Sequence, residues 1–92
     1  MEIIHDLENK EFVMPIDGLN NAKVLYTLDS CLGMRLLHSE VPFELRGRGI
    51  GKELVLKTFQ KLTDEGFEAT AVCSYIRAVA QRHPKWKTII KL

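Results

Sequence analysis

The 92-residue chain is short of several things, and each shortage excludes a class. It has two cysteines, Cys31 and Cys73, too few for a disulfide scaffold and without the CxxC spacing of a zinc ribbon. At most one disulfide is open to it. No apolar run approaches the ~18 residues of a membrane span, and the opening MEIIHDLENK is too charged for a signal peptide. The expected compartment is therefore the cytosol or a similar reducing space. Charge of one sign is missing overall, with 13 Lys and Arg against 12 Asp and Glu. A global pull toward nucleic acid or a membrane surface is thus excluded. Its seven aromatic residues are scattered, not interleaved with bases as on a nucleic-acid platform. There is no repeat, linker or low-complexity tract, and no His, Cys and Asp pattern with metal-ligand spacing. Ninety-two residues with 46% hydrophobic side chains suit one small domain, residues 1–92, on a single core.

What charge there is lies unevenly. Residues 1–34 hold six acids and two bases, whereas residues 74–92 hold five bases (Arg77, Arg82, Lys85, Lys87, Lys91) and no acid. A solvated basic end accounts for this, as does a surface suited to a polyanion.

Four early segments read as strands: residues 2–6, 11–16, 22–29 and 34–41. In the third, Val24, Tyr26 and Leu28 alternate with Lys23, Leu25 and Thr27, the period of a strand with two unlike faces. The short connections, with Asp17-Gly18 and Asn20-Asn21 supplying turn chemistry, make antiparallel hairpins. The period then changes. Ile50, Leu54, Val55, Phe59 and Leu62 share one helical face, and Gly66 stands where a C-cap glycine belongs. A strand over 68–73 follows, then a short helix with Ser74 as N-cap, ending at His83 before Pro84. Residues 86–92 form a last strand or a packed tail. The expected fold is α/β: a mostly antiparallel sheet of about five strands, one β-α-β unit and two helices.

The most informative stretch is Arg46-Gly47-Arg48-Gly49-Ile50-Gly51-Lys52, between the fourth strand and the long helix. Glycines let backbone N–H groups approach a ligand, and a helix start adds unpaired donors and the positive end of the dipole. The order strand, glycine loop, helix is a phosphate cradle. It is not a Walker A loop, since Arg46 stands five before Gly51 and Glu53 follows Lys52. Nor does it have the G-x-G-x-x-G spacing of a dinucleotide fold.

Arg46-Gly47-Arg48-Gly49-Ile50-Gly51 matches [RQ]-x-x-G-x-[GA]. This string, with His38-Ser39-Glu40-Val41-Pro42 before it and Cys73-Ser74-Tyr75 and Arg82-His83-Pro84 after it, resembles the very short members of the GCN5-related N-acetyltransferase superfamily. The resemblance covers nearly the whole chain. It implies a GNAT-like fold that binds acetyl-CoA, with the pyrophosphate on the backbone of residues 46–52 (Arg46, Gly47, Arg48, Gly49, Ile50, Gly51 and Lys52). The pantetheine arm would pair with the main chain of Val41, where the fourth and fifth strands splay apart. The thioester would lie near the strand ends, close to Cys73 and Ser74. This chain has Cys73-Ser74-Tyr75 where the short members commonly have Cys-Pro-Phe, and Pro84-Lys85-Trp86 where they have Pro-Glu-Tyr.

Acetyl transfer to an amine needs a base for the amine, a polarised carbonyl and an acid for the leaving thiolate. His38 and Glu40 share one face of the fourth strand by its period of two, and either is a candidate base. Each is also an ordinary structural residue in the alternative reading. Tyr75 is the candidate acid, or a packing residue. Cys73, ahead of a helix whose dipole favours a thiolate, is a candidate nucleophile that would carry the acetyl group covalently. Its alternative is a small buried filler. Arg77, Arg82 and Lys85 are candidates for the 3′-phosphate of the CoA adenosine or are solvated. Cys31 reads as structural.

No metal is called for. The partners expected are acetyl-CoA and an amine; too few residues join the first two strands to wall off the acceptor, so the open cleft suits a protein or peptide amine or is completed by a partner. Two other functions stand beside this one. The first is a non-catalytic acyl-CoA sensor, which would release no free CoA. The second is a small phosphate- or nucleic-acid-binding module, which would show steep salt dependence.

Overall fold

A computed structural model of the chain describes residues 2–18, 20–29 and 33–92. Cys31, and any disulfide made through it, lies outside the described residues. The elements run β1 (Ile4–Asp6), β2 (Glu11–Pro15), β3 (Asn21–Leu28), β4 (Met34–Glu40), a 3-10 turn (Phe43–Leu45), α1 (Ile50–Glu65), β5 (Ala69–Ala71), α2 (Ser74–Arg82), a second 3-10 turn (Pro84–Trp86) and β6 (Ile90–Lys91). The strands form one sheet in chain order. The first three pairings are antiparallel hairpins; β4 with β5 and β5 with β6 are parallel. The expected α/β fold therefore holds, with six strands where about five were expected. The extra one is the two-residue β6, which settles residues 86–92 as a 3-10 turn and a short strand.

Both parallel pairings are made by crossover helices that step along the sheet in the same direction. Right-handed crossovers of that kind place both helices on the same face, and the burial pattern agrees. Phe12, Met14, Val24, Tyr26, Met34 and Leu36 from the sheet meet Leu54, Val55, Phe59 and Leu62 of α1 and Ile76 and Val79 of α2 in one core. The apolar period of each element accounts for this face. The other face of the sheet carries Val13, Lys23, Leu25, Leu37, His38 and Glu40 and has no helix over it.

Away from the glycine loop, at the C-terminal end of α1, His5 is held between Glu65 (Nδ1 to Oε1, 2.5 Å) and the hydroxyl of Tyr26 (Nε2 to Oη, 2.7 Å). Its ring stacks on Phe12 at 4.3 Å. Among the described residues no helix is long and apolar enough to cross a membrane.

Strict alternation fails once, in β4. Tyr26 of β3 pairs with Leu36, but the preceding Leu25 pairs with His38, leaving Leu37 as an extra residue. Such a bulge turns the following side chains to the opposite faces. Met34 and Leu36 point to the core, as a period of two requires; beyond the bulge it is Ser39, not His38 or Glu40, that lies on the helix side opposite Val24.

Candidate active site

The pairing of β4 with β5 stops at Leu36 and Ala71. There the carbonyl of Leu36 accepts both Val72 N–H (2.9 Å) and Cys73 N–H (3.1 Å), while β4 runs on to Glu40 without β5 beside it. The two strands part at this point. The chain leaving β4 passes Val41 and the 3-10 turn and enters the glycine loop. Gly47 and Gly49 have φ of 85° and 77°, values that favour glycine over any residue with a Cβ. Gly49 is the N-cap of α1, and no side chain caps this helix end. Its first backbone bond is Glu53 N–H to the carbonyl of Gly49 at 3.1 Å. The amides of Ile50, Gly51 and Lys52 thus precede the helical ladder, as expected of a cradle for an anion.

Gly51 has a different reason to be glycine. A Cβ placed on it would lie 3.3 Å from the hydroxyl oxygen of Tyr75 and 3.5 Å from its ring. The first turn of α1 and the first turn of α2 are therefore in near contact, with Tyr75 laid against the helix backbone. Ser39, Val41, Arg46, Gly47, Gly49, Gly51 and Tyr75 line a cavity of about 440 Å³, within the range of small-molecule sites.

The sequence-predicted residues divide between two sides of β4. On the helix side, Cys73 carries a free, half-buried thiol. Its Sγ lies 3.9 Å from Ser39 Oγ across the opening between the strands. Cys73, not Ser74, is the N-cap of α2; Ser74 is the first helical residue and is exposed. The expected cap is displaced because the strand ends two residues early, at Ala71, and Cys73 keeps extended dihedrals (φ −60°, ψ 130°) while its carbonyl accepts Arg77 N–H at 2.9 Å. α2 likewise ends at Arg82, with His83 as its C-cap.

On the open side, His38 and Glu40 do share a face, with Nε2 and Oε1 3.7 Å apart and both side chains more than half exposed. They line no part of the cleft. Arg46 Nε donates to the carbonyl of Val41 at 3.3 Å, and its guanidinium sits 5.7 Å from the centre of the Phe43 ring. Arg48 is exposed, and Ile50 is buried in the core and offers the cleft its backbone alone.

Ser39 was not singled out from the sequence. Nothing there marks the bulge at Leu37, and without it alternation from Met34 and Leu36 sends Ser39 away from the helices.

The donor set fits an acyl-CoA. The uncapped helix start suits a diphosphate, and the glycine at 51 leaves room that a Cβ would take. The parted strands expose backbone of β4 to an extended arm. Among the described residues no group of three or more His, Cys, Asp and Glu is placed to hold a metal.

Comparison with known proteins agrees with this reading of the fold. The model of a family described as GCN5-related N-acetyl-transferase matches residues 11–89, so the chain belongs to that family of acetyltransferases. It is similar to Protein NATD1 of Gallus gallus, at 30% identity over 87 residues covering 91% of this chain and 77% of the relative. The Homo sapiens Protein NATD1 is also 30% identical over 87 residues, with 91% and 75% covered. That of Danio rerio is 28% identical over 85 residues, with 91% and 77% covered.

Proposed function

We propose that residues 1–92 act as one acyl-CoA-binding domain that moves an acetyl group from acetyl-CoA to an amine through Cys73. The observation that carries this is the meeting, at one end of the sheet, of an uncapped helix start, parted strand ends and a free thiol. The amides of residues 47–52 hold the pyrophosphate, supported by the charges of Arg46, Arg48 and Lys52. The pantetheine arm lies along Val41. The Val41 carbonyl already accepts from Arg46, and its second lone pair serves the arm.

The Cys73 thiolate, at the start of α2 with Ser39 Oγ as its neighbour, attacks the thioester carbonyl. The carbon–sulfur bond to Cys73 forms as the bond to the CoA sulfur breaks. The departing thiolate takes a proton from Tyr75, which is restored from solvent. An amine arriving from the open side then attacks acetyl-Cys73; Sγ leaves as thiolate, and the amine proton passes to His38, paired with Glu40, directly or through water. Only four residues join β1 to β2, so the acceptor side is open and suits an amine on a protein or peptide.

Incubation with radiolabelled acetyl-CoA tests the covalent step. Wild type should become labelled and Cys73→Ala should not, while CoA affinity of the variant stays within about three-fold, less than 1 kcal/mol. Undiminished labelling removes Cys73 from the mechanism. With a panel of amines, release of free CoA separates a transferase from a sensor.

A further inference from the structure

When a thiolate adds to a thioester carbonyl, the carbonyl oxygen takes on negative charge, and donors already aimed at that oxygen lower the barrier. The last two backbone donors before the thiol are spent: Val72 N–H and Cys73 N–H both go to the carbonyl of Leu36, at 2.9 and 3.1 Å. The hydroxyl of Ser39 is not spent. Ser39 is half-buried on the helix side of β4, opposite Val24, where the bulge at Leu37 puts it. It lines the cleft of about 440 Å³ together with Val41 and Tyr75. Among the described residues its one hydrogen-bonding neighbour is Cys73 Sγ, at 3.9 Å. That is long beside the about 2.5–3.0 Å between a hydroxyl and an oxygen acceptor, so the O–H has bonding capacity left. The separation suits a third atom. Two atoms 3.9 Å apart leave a position roughly 3 Å from each, and a carbonyl oxygen of an acyl group carried on Sγ fits there.

We propose that Ser39 is a catalytic residue, its hydroxyl donating a hydrogen bond to the oxyanion formed when Cys73 takes the acetyl group and again when it gives it up. This rests on the reading of Cys73 as the nucleophile. As the bond from Sγ to carbon forms, the π pair of the carbonyl moves to oxygen, and the Ser39 O–H holds that charge. The pair then returns to carbon as the bond to the CoA sulfur breaks, and CoA leaves as a thiolate. Ser39 keeps its proton throughout. Attack of the amine on acetyl-Cys73 raises the same charge on the same oxygen, with Sγ as the group that leaves. The donor stands on a strand paired with β3, not on a loop, so it is in place before the charge develops.

The test compares two reactions of one thiol: single-turnover acetylation of Cys73 at saturating acetyl-CoA, and its alkylation by iodoacetamide, each followed at Cys73 by peptide mass spectrometry. Both consume the thiolate. Only the first builds charge on an oxygen, since alkylation displaces iodide from a saturated carbon. Ser39→Ala should slow acetylation by about 100-fold or more and leave alkylation within about three-fold of wild type. Ser39→Thr keeps the hydroxyl and suits a strand; its acetylation should return to within about ten-fold of wild type. Circular dichroism checks that both variants are folded. Equal slowing of the two reactions in Ser39→Ala would make Ser39 a support for the thiol and overturn the proposal. Undiminished acetylation in that variant would also overturn it, and would hand the oxygen to the first amides of α2. Either result leaves Cys73 as the nucleophile. A wild type whose Cys73 gains no acetyl group overturns the covalent reading, and the role of Ser39 with it.

Discussion

Replacing Gly51 and Gly49 in turn by alanine separates glycine kept for ligand space from glycine kept for backbone shape. At Gly51 the backbone is ordinary helix, and alanine there is favoured over glycine by about 0.5–1 kcal/mol. Against this, the new methyl meets Tyr75 at 3.3–3.5 Å. Tyr75 is 44% exposed and can yield by the few tenths of an ångström needed, so Gly51→Ala should be neutral to mildly stabilising. Gly49 stands at φ 77° with nothing within 4 Å of a Cβ. Its alanine variant pays only for left-handed backbone, about 1–2 kcal/mol. For a chain of this size that lowers Tm by about 4–16 °C. Thermal denaturation by circular dichroism should therefore move the two variants apart. Titration with CoA should nevertheless weaken in both, and in Gly51→Ala by about ten-fold or more, about 1.4 kcal/mol, because the methyl stands in the cleft wall. A Gly51→Ala protein that binds CoA as wild type does would refute the assignment of this wall to the ligand.

Two further predictions concern the scaffold. Burial, and then the carboxylates of Glu65 and Asp6, hold Tyr26 above its ordinary value of 10.0. A group raised in the folded state contributes stability that is present below its unfolded value and lost as pH rises through the folded one. Urea midpoints should therefore fall above pH 10 in wild type and fall less in Tyr26→Phe; equal losses in both would dismiss the linkage. Phe59 is fully buried, with its ring 5.7 Å from that of Trp86. Phe59→Ala should cost about 3–5 kcal/mol, read as a lowered urea midpoint followed by Trp86 emission, and a loss below about 1 kcal/mol would contradict the packing.

Much of this arrangement was legible in the sequence because it rests on short-range signals. The spacing of Ile50, Leu54, Val55, Phe59 and Leu62 gave α1 its buried face, and Gly49 and Gly66 bracket it as its caps. The hairpins followed from connections too short for a crossover. What stayed open or escaped depends on contacts distant in the chain. Ile90 and Lys91 are a strand only because Ala69 and Thr70 lie beside them. Ser74 has the chemistry of an N-cap, but the early end of β5 gives the position to Cys73. The nearness of Ser39 to Cys73, 34 positions on, depends on the bulge at Leu37, for which no residue type is diagnostic. Lys52 and Lys57 of α1 border one cavity with Lys85 and Trp86, a juxtaposition of segments far apart in the chain that helical periodicity does not show.

That single additional residue in β4 also sets which neighbours the reacting groups can have. Were β4 to pair without the bulge, Leu37 would stand opposite Leu25, and the imidazole would turn inward among aliphatic side chains while the serine hydroxyl faced bulk water. A slip of one position in that pairing, without any change of side-chain chemistry, would exchange inside for outside over His38, Ser39 and Glu40.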